Sequence, residues 1–473
     1  MLLYFMDNNS NLPASGLLAS RSQVDLIREV FHYQSRFEGS TMVFKIDYPV
    51  TEDPGFPGLV KDLALLAKTG FKVIIIPGAK EIIDSVLNQH GIASSFCEAL
   101  SNDMPVRLTS SQAIPYVEMA AFNVASRFMT FLSGSKVEAM IGNFVRARGL
   151  GVIDGIDTEH TGTVDKIYAD SLGRVLNLGM VPILPCIGWS PSGKPYNVPS
   201  DEIALAVSKT LAAEKLFIVR ASVPSGADNL NLNIEGNPET RPDGSLIRLT
   251  PAQTQAIINA NEAKSTAKGE NSGQIMKYLW ELKLALRACQ AGVHRIHIVD
   301  GREDGSVLKE LFSNLGVGTM IYTDEYDAIR PFHSSDLPDI LRLMEPLMKD
   351  GILIRRSPEQ IQEKKADYSV LEIDGSVRAC GALHDWGESQ GEIAAIATDP
   401  QYTDLGLGGK IVGYLIEKAR KTKLRRVFAL TTQTHDWFES LGFKEASVDS
   451  LPAQKRKVYD HGRKSKVFAL DLI

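Results

Sequence analysis

This sequence predicts two α/β units in series: an open, mostly parallel αβα sandwich, then a smaller α+β unit. Three observations predict it. Strand-like and helix-like segments alternate from about residue 40 to 325. One of them, Lys72-Val73-Ile74-Ile75-Ile76, is the near-continuous apolar run that a parallel sheet covered on both faces needs. Near Tyr322-Thr323-Asp324-Glu325-Tyr326 the pattern changes, and the remainder reads as a compact α+β unit. The expected boundaries are 1–20 for a loose tail, 21–325 for the sandwich with a leading helix, and 326–473 for the last unit.

The chain has 473 residues, 44% hydrophobic and 23% charged, enough apolar material for real cores and against a disordered chain. Fifty-one basic against 57 acidic side chains leave a net charge of -6, which argues against a nucleic-acid partner. No apolar run approaches the roughly 20 residues of a membrane helix. The start, Met1 to Asp7, has no basic leader, so no secretion signal and no membrane partner are expected. Cys97, Cys186, Cys289 and Cys380 show no paired spacing, so neither a metal knuckle nor a disulfide framework is implied. A reducing cytoplasm is the expected compartment.

In chain order, residues 22–37 carry apolar positions at helical spacing, with Ser22 as N-cap. Met42 to Ile46 reads as the first strand, 59–68 as a helix stopped by Gly70, 71–77 as a strand and 81–90 as a helix. Then come strand 181–184, helix 200–213, strand 216–220, helix 273–291 and strand 295–299. Pro, Gly, Asn and Asp accumulate between 223 and 272, which predicts a hairpin or loop excursion.

The strongest local signal is Gly391-Glu392-Ile393-Ala394-Ala395-Ile396-Ala397-Thr398-Asp399-Pro400, followed by Leu405-Gly406-Leu407-Gly408-Gly409-Lys410. It reads as strand, glycine-rich loop and helix. Glycines let backbone N–H groups approach an anion, and a helix N-terminus adds its positive dipole end, so a diphosphate suits this loop. Ordinary turn chemistry would use the same glycines. Strict alternation puts Glu392 on one face with Ala394, Ile396 and Thr398, and Ile393, Ala395 and Ala397 on the other. Glu392 is then either a solvated strand-end carboxylate or a buried one. Burial beside apolar groups would move it toward the range of a general base. Arginines flank strand-like runs at 351–357 and 459–467, where a guanidinium could clamp a carboxylate. The stretch from Lys455 to Lys466 reads equally well as a solvated basic edge.

The strand ending in Asp-Pro-x-Tyr, followed by Gly406-x-Gly408, resembles the acetyl-coenzyme A signature of the GNAT acetyltransferase superfamily. That resemblance implies a GNAT fold for the last unit. It implies acetyl-coenzyme A as co-substrate, with no metal, held by Ala397, Leu405, Gly406, Leu407, Gly408 and Gly409. Thr403 stands where the superfamily usually has Arg or Gln. The run Ile352-Leu353-Ile354-Arg355-Arg356-Ser357, the Gly-Glu-Ile-Ala strand, Leu430 to Phe443 and Arg463-Lys464-Ser465-Lys466-Val467 together resemble the N-acetylglutamate synthase family. By that resemblance Arg355, Arg463 and Ser465 hold the carboxylates of L-glutamate, and Glu392 is the base. Many GNAT members have a Tyr acid for the leaving thiolate in the helix before the Gly-Phe strand; Phe438 takes that slot here. Thr431, His435, Tyr459 or water would serve instead, or no acid is needed.

The earlier unit, with Asn197-Val198-Pro199-Ser200-Asp201 and Ala212 to Val219, is similar to the amino-acid kinase family. Lys45 and Asp201 match positions used there for phosphate and for organising lysines. Pro49 lacks an N–H and Asp47 would repel phosphate, so the nucleotide site is expected to be dead. Helix 22–37, Val293 to Gly301, Leu308 to Phe312 and Gly316 to Met320 resemble the arginine-sensitive members. The resemblance implies L-arginine as effector at Tyr33, Glu310, Gly316 and Gly318, and a homo-oligomer built as a ring of dimers. For any of these glycines, ending a helix is the alternative. The expected activity is transfer of acetyl to the α-amino group of glutamate for arginine synthesis. The alternatives are an N-acetylglutamate kinase with an appended acetyltransferase, or a non-catalytic amino-acid sensor.

Overall fold

The computed structural model describes residues 30–472 except 32, 98–104, 154, 222–229, 233, 235–237, 242, 266–271, 313–315, 324–326, 374, 375 and 401–405. The 1–20 tail, the N-cap Ser22, most of the 22–37 helix, Thr403 and Leu405 lie outside the described residues. Two compact units divide between Asp324 and Glu325.

The first unit is built on a nine-stranded sheet. Its strands are β1 (Thr41–Ile46), β2 (Lys72–Pro77), β3 (Ala139–Ile141), β4 (Val181–Ile183), β5 (Lys215–Arg220), β6 (Glu239–Thr240), β7 (Leu246–Leu249), β8 (Arg295–Asp300) and β9 (Thr319–Tyr322). They lie in the order β6-β7-β9-β8-β5-β1-β2-β4-β3. The central ladders, from β8 through β5, β1, β2 and β4 to β3, are all parallel. Parallel neighbours need crossovers, and helices supply them: α1 (Phe56–Lys68), α2 (Ile114–Gly134), α3 (Ser200–Thr210) and α4 (Ser272–Gln290) among others, while α5 (Ser306–Phe312) joins the antiparallel pair β8 and β9. Alternate strand residues feed two cores. Phe44, Val73, Ile75 and Phe217 enter one, while Val43, Ile74, Ile76, Leu216 and Ile218 enter the other. Both faces are covered, which is why these strands are apolar throughout.

The 223–272 excursion is half a hairpin. Strands β6 and β7 pair antiparallel, but residues Pro251–Ser265 then form a helix that the loop reading missed. Helix α2 and a four-stranded sheet (145–149, 162–167, 187–189 and 195–197) also lie outside the sequence reading, although Ile114, Val117, Ala121, Val124, Phe128 and Leu132 of α2 recur at helical spacing.

The second unit holds a seven-stranded sheet of β10 (Asp327–Pro331), β11 (Tyr368–Ile373), β12 (Ser376–Asp385), β13 (Gln390–Thr398), β14 (Arg426–Thr431), β15 (Lys444–Ala446) and β16 (Lys466–Asp471), in the order β10-β11-β12-β13-β14-β16-β15. Every ladder is antiparallel except β13 with β14. Helix α6 (Leu337–Lys349) packs Ile340, Leu343 and Met344 on one face of the sheet. Helices α7 (Pro358–Glu363), α8 (Leu407–Lys421), α9 (His435–Ser440) and α10 (Ala453–Lys457) complete the unit, α8 covering the opposite face with Val412 and Leu415. The predicted strand at 351–357 does not form. Gly351 leaves α6 with φ +71, and the chain stays irregular until Ser357 caps α7. Among the described residues no helix is long and apolar enough to cross a membrane.

Candidate active site

The single parallel ladder of the second unit is short. Gln390 pairs with Arg426, Gly391 with Val427 and Glu392 with Phe428, and there pairing stops although β14 runs on to Thr431. The two strands part beyond Glu392, leaving the β14-facing edge of residues 393–398 without a neighbouring strand. A bulge accompanies the parting. The register against β12 shifts between Cys380 and Ala382, and Ala395 takes a left-handed φ of +54, a conformation costly for a residue with a Cβ. The bulge overturns the strict alternation expected along this strand. Ile393 and Ile396 both pack on the α8 side, while Ala395 and Ala397 enter the α6 core.

The far end of β13 meets the start of α8. Gly406 caps that helix with φ +63, and the N–H of Lys410 returns to its carbonyl. By helix geometry the amides of Leu407, Gly408 and Gly409 have no intrahelical acceptor, and they form the positive end of a 15-residue helix. A Cβ on Gly408 would lie 3.0 Å from the Trp437 ring and 3.7 Å from Thr398, so glycine lets β13, α8 and α9 close on one another. Asp399, buried at the strand end, is pinned by Arg378 (3.0 Å) and Arg342 (3.3 Å). The end of β13, with Ala397 and Thr398, and the amides of Leu407, Gly408 and Gly409 therefore lie together at one amide-rich corner.

Glu392 lies at the last paired rung and is buried. Its surroundings are not the apolar ones considered for it. Lys455 on α10 reaches both carboxylate oxygens at 2.7 Å, and the indole N–H of Trp386 donates to Oε2 at 2.8 Å. The ammonium also lies 4.7 Å from the centroid of the Trp386 ring. Lys455 is thus no part of a solvated basic edge: it is buried and paired. A basic run gave no signal of this, because its partner lies in another strand.

Arg463 donates from one guanidinium nitrogen to the carbonyls of Gly351 (3.0 Å) and Ile352, drawing the 351–357 and 459–467 segments together. Its Nε is enclosed and bonds to no described residue, leaving an unused donor. Arg355 is exposed and has no partner among the described residues. Ser465 is buried, and its carbonyl accepts from the Tyr459 hydroxyl at 2.5 Å. Phe438 is packed between Phe443 and Phe468 and offers no proton. The Thr431 hydroxyl is engaged with Thr434 at 2.8 Å.

In the first unit, Lys45 is gripped by Asp47 (2.6 Å) and Asp201 (2.9 Å), and Lys277 adds a second cation to Asp47 at 3.0 Å. Burial opposes the charge on Lys45, but Asp201 and Asp47 outweigh it and hold the ammonium well above its ordinary range. Asp47, in turn, occupies the space beside Lys45 where a phosphate would need that charge.

Glu310, Gly316 and Gly318 converge. One Glu310 oxygen accepts from the amides of Val317 and Gly318, both at 2.8 Å, and the other meets His297 Nδ1 at 2.7 Å. Burial works against ionisation of Glu310, yet His297 and the two amides prevail and hold it down to about 2. Gly316, at φ +54, has no room for a Cβ beside that carboxylate. Tyr33 is buried and stacks on Phe37 at 6.1 Å. His297 was missed by sequence reading; its place opposite Glu310 arises from sheet register.

An amide-lined corner, parted strands and a buried carboxylate at their fork define a GNAT-type acyltransferase, carried on the same chain as an amino-acid-kinase fold. Family models agree: the amino acid kinase family matches residues 49–222, and the acetyltransferase (GNAT) family matches 337–443. An amino-acid acetyltransferase of Neisseria meningitidis serogroup A is 35% identical over 450 residues, covering 93% of this chain and 96% of its own. The amino-acid acetyltransferase of Escherichia coli K12 is 31% identical over 460 residues, covering 95% and 98%. Among solved structures, N-acetylglutamate synthase from Neisseria gonorrhoeae complexed with coenzyme A and L-arginine is 33% identical. It covers 96% of this chain and 100% of its own, with a TM-score of 0.78. The chain belongs to the amino-acid acetyltransferase family.

Proposed function

We propose that this enzyme moves the acetyl group of acetyl-coenzyme A to the α-amino group of L-glutamate, giving N-acetyl-L-glutamate for arginine biosynthesis. The observation that carries the reading is the fork: Glu392 lies where β13 leaves β14, with the amide corner of α8 at the far end of the open edge. The coenzyme diphosphate takes the amides of Leu407, Gly408 and Gly409, with Leu405, Gly406 and Ala397 alongside. The pantetheine arm lies along the open edge of β13. A β13 backbone N–H polarises the thioester carbonyl. Arg355, Arg463 and Ser465 hold the glutamate carboxylates, the guanidinium groups through paired N–H donors. Glu392 takes the ammonium proton through water, because Lys455 already covers both of its oxygens.

The kinase-like unit serves as the sensor, with L-arginine at Tyr33, Glu310, Gly316 and Gly318. Its effect reaches the acetyltransferase unit as a coupling free energy between two sites. The enzyme works as a homo-oligomer, a ring of dimers, in the cytoplasm. Against a kinase reading stands Asp47, whose carboxylate neutralises Lys45.

Thiol release from acetyl-coenzyme A, measured across an amino-acid panel with and without arginine, tests the proposal. Glutamate-dependent release is expected. No glutamate-dependent release would overturn it in favour of a sensor, and ATP-dependent phosphorylation of N-acetylglutamate would favour the kinase.

A further inference from the structure

Directly across the sheet from Glu392 stands a second titratable group that the proposed mechanism does not use. His384 on β12 is the cross-strand partner of Glu392. The preceding pair, Leu383 and Ile393, both pack in the α8 core, so His384 and Glu392 share the opposite face. Paired residues of an antiparallel ladder have Cβ atoms about 4.5–5.5 Å apart, within reach of one bridging water between their side-chain ends. The His384 ring is buried and fixed. Its Nδ1 meets Asp367 Oδ2 at 2.6 Å, and Tyr368 packs edge-on at 6.1 Å. Nε2 bonds to no described residue. Asp367 is itself positioned by Lys418 of α8, whose ammonium donates to the carbonyls of Ala366 (2.9 Å) and Asp367 (3.3 Å). The charged groups around the ring are thus Asp367, Glu392, Lys418 and, beyond Glu392, Lys455. A carboxylate on Nδ1 fixes the tautomer with its lone pair on Nε2, the arrangement needed to accept a proton.

We propose that the Asp367–His384 pair is the route by which the proton collected at Glu392 leaves the site. The inference rests on Glu392 being the base. Acetylation removes two protons from the ammonium nitrogen. One ends on the coenzyme sulfur as the C–S bond breaks and the C–N bond forms, and the other must reach bulk water. Glu392 takes that second proton through water and passes it, again through water, to His384 Nε2. The imidazolium releases it to solvent and returns to the neutral ring, with Asp367 kept on Nδ1 throughout. His384 therefore acts through Glu392 and touches neither substrate.

The test uses the full-length enzyme with His384→Ala, Asp367→Asn and Glu392→Gln. His384→Ala should lower kcat ten- to a hundredfold, leave KM for glutamate and acetyl-coenzyme A within twofold, and regain rate in proportion to added imidazole. Asp367→Asn should lower kcat by a smaller factor, leave both KM values within twofold and gain nothing from imidazole, because the His384 ring still fills its place; it carries the test if His384→Ala does not fold. Unchanged kcat in both variants, a loss confined to KM, or a kcat loss in His384→Ala that imidazole does not relieve would overturn the route. A fully active Glu392→Gln would instead overturn the base assignment. An inactive Glu392→Gln beside an unaffected His384→Ala would overturn the route alone.

Discussion

Lys455 Nζ stands 2.7 Å from each oxygen of Glu392, across 63 residues of sequence and with both side chains buried. This pairing makes the proposed base an ion-pair member before any substrate arrives. It also separates two roles that one substitution would confuse, because losing either partner strands a buried charge.

Lys455→Met is expected to destabilise the enzyme by about 3–5 kcal/mol, read as a lower unfolding temperature, and to reduce kcat. The double variant Lys455→Met with Glu392→Gln should recover much of the stability and none of the activity. Recovery of activity would mean that Glu392 is not the base.

Arg463→Lys should fail to replace arginine. An ammonium cannot hold the carbonyls of Gly351 and Ile352 and still offer a planar donor pair to a carboxylate. KM for glutamate should rise tenfold or more, with KM for acetyl-coenzyme A unchanged. Arg355→Ala should raise the same KM but leave stability within about 0.5 kcal/mol, since the side chain is exposed and unpartnered among the described residues. Unchanged KM for glutamate in both would remove the two arginines from the substrate site.

Gly316→Ala would force a methyl group against the Glu310 carboxylate at a left-handed backbone position. Arginine binding, followed by calorimetry, should weaken at least tenfold. Unaltered binding would place the effector elsewhere.

Asp62 on α1 supplies a pH signature. Burial first, and Asp304 second, push its carboxyl up to about 7. A folded value above the unfolded one means that the unfolded chain binds fewer protons between the two. Stability is therefore fully present below about pH 4 and declines as pH rises through 7. Asp62→Asn should gain on the order of 2–4 kcal/mol at pH 8 and little at pH 4. A gain independent of pH would contradict this.

The elements that frame the candidate site could be read from local sequence. The glycines at 406, 408 and 409, the carboxylate near the start of β13 and the closing strand from Lys466 are set by short-range patterns. What escaped depends on distant partners. Lys455 looks like any surface lysine until Trp386 and Glu392 enclose it. Ala395 gives no hint that it departs from extended backbone, because the shift arises from register against Cys380 and Ala382. The apolar run Ile352-Leu353-Ile354 suggested a strand, yet Gly351 turns the chain so that no neighbour pairs with it, and Ile354 is left 51% exposed. Helix Pro251–Ser265 lay hidden because its polar residues are spread around its circumference.

The gap between β13 and β14 places a row of bare peptide groups inside the sheet instead of at its rim. Bare groups at a rim recruit other proteins. Here the opening lies between two strands that are joined at one end by three paired rungs. Unpaired backbone is thus kept within the sheet, away from its two outer strands, β10 and β15.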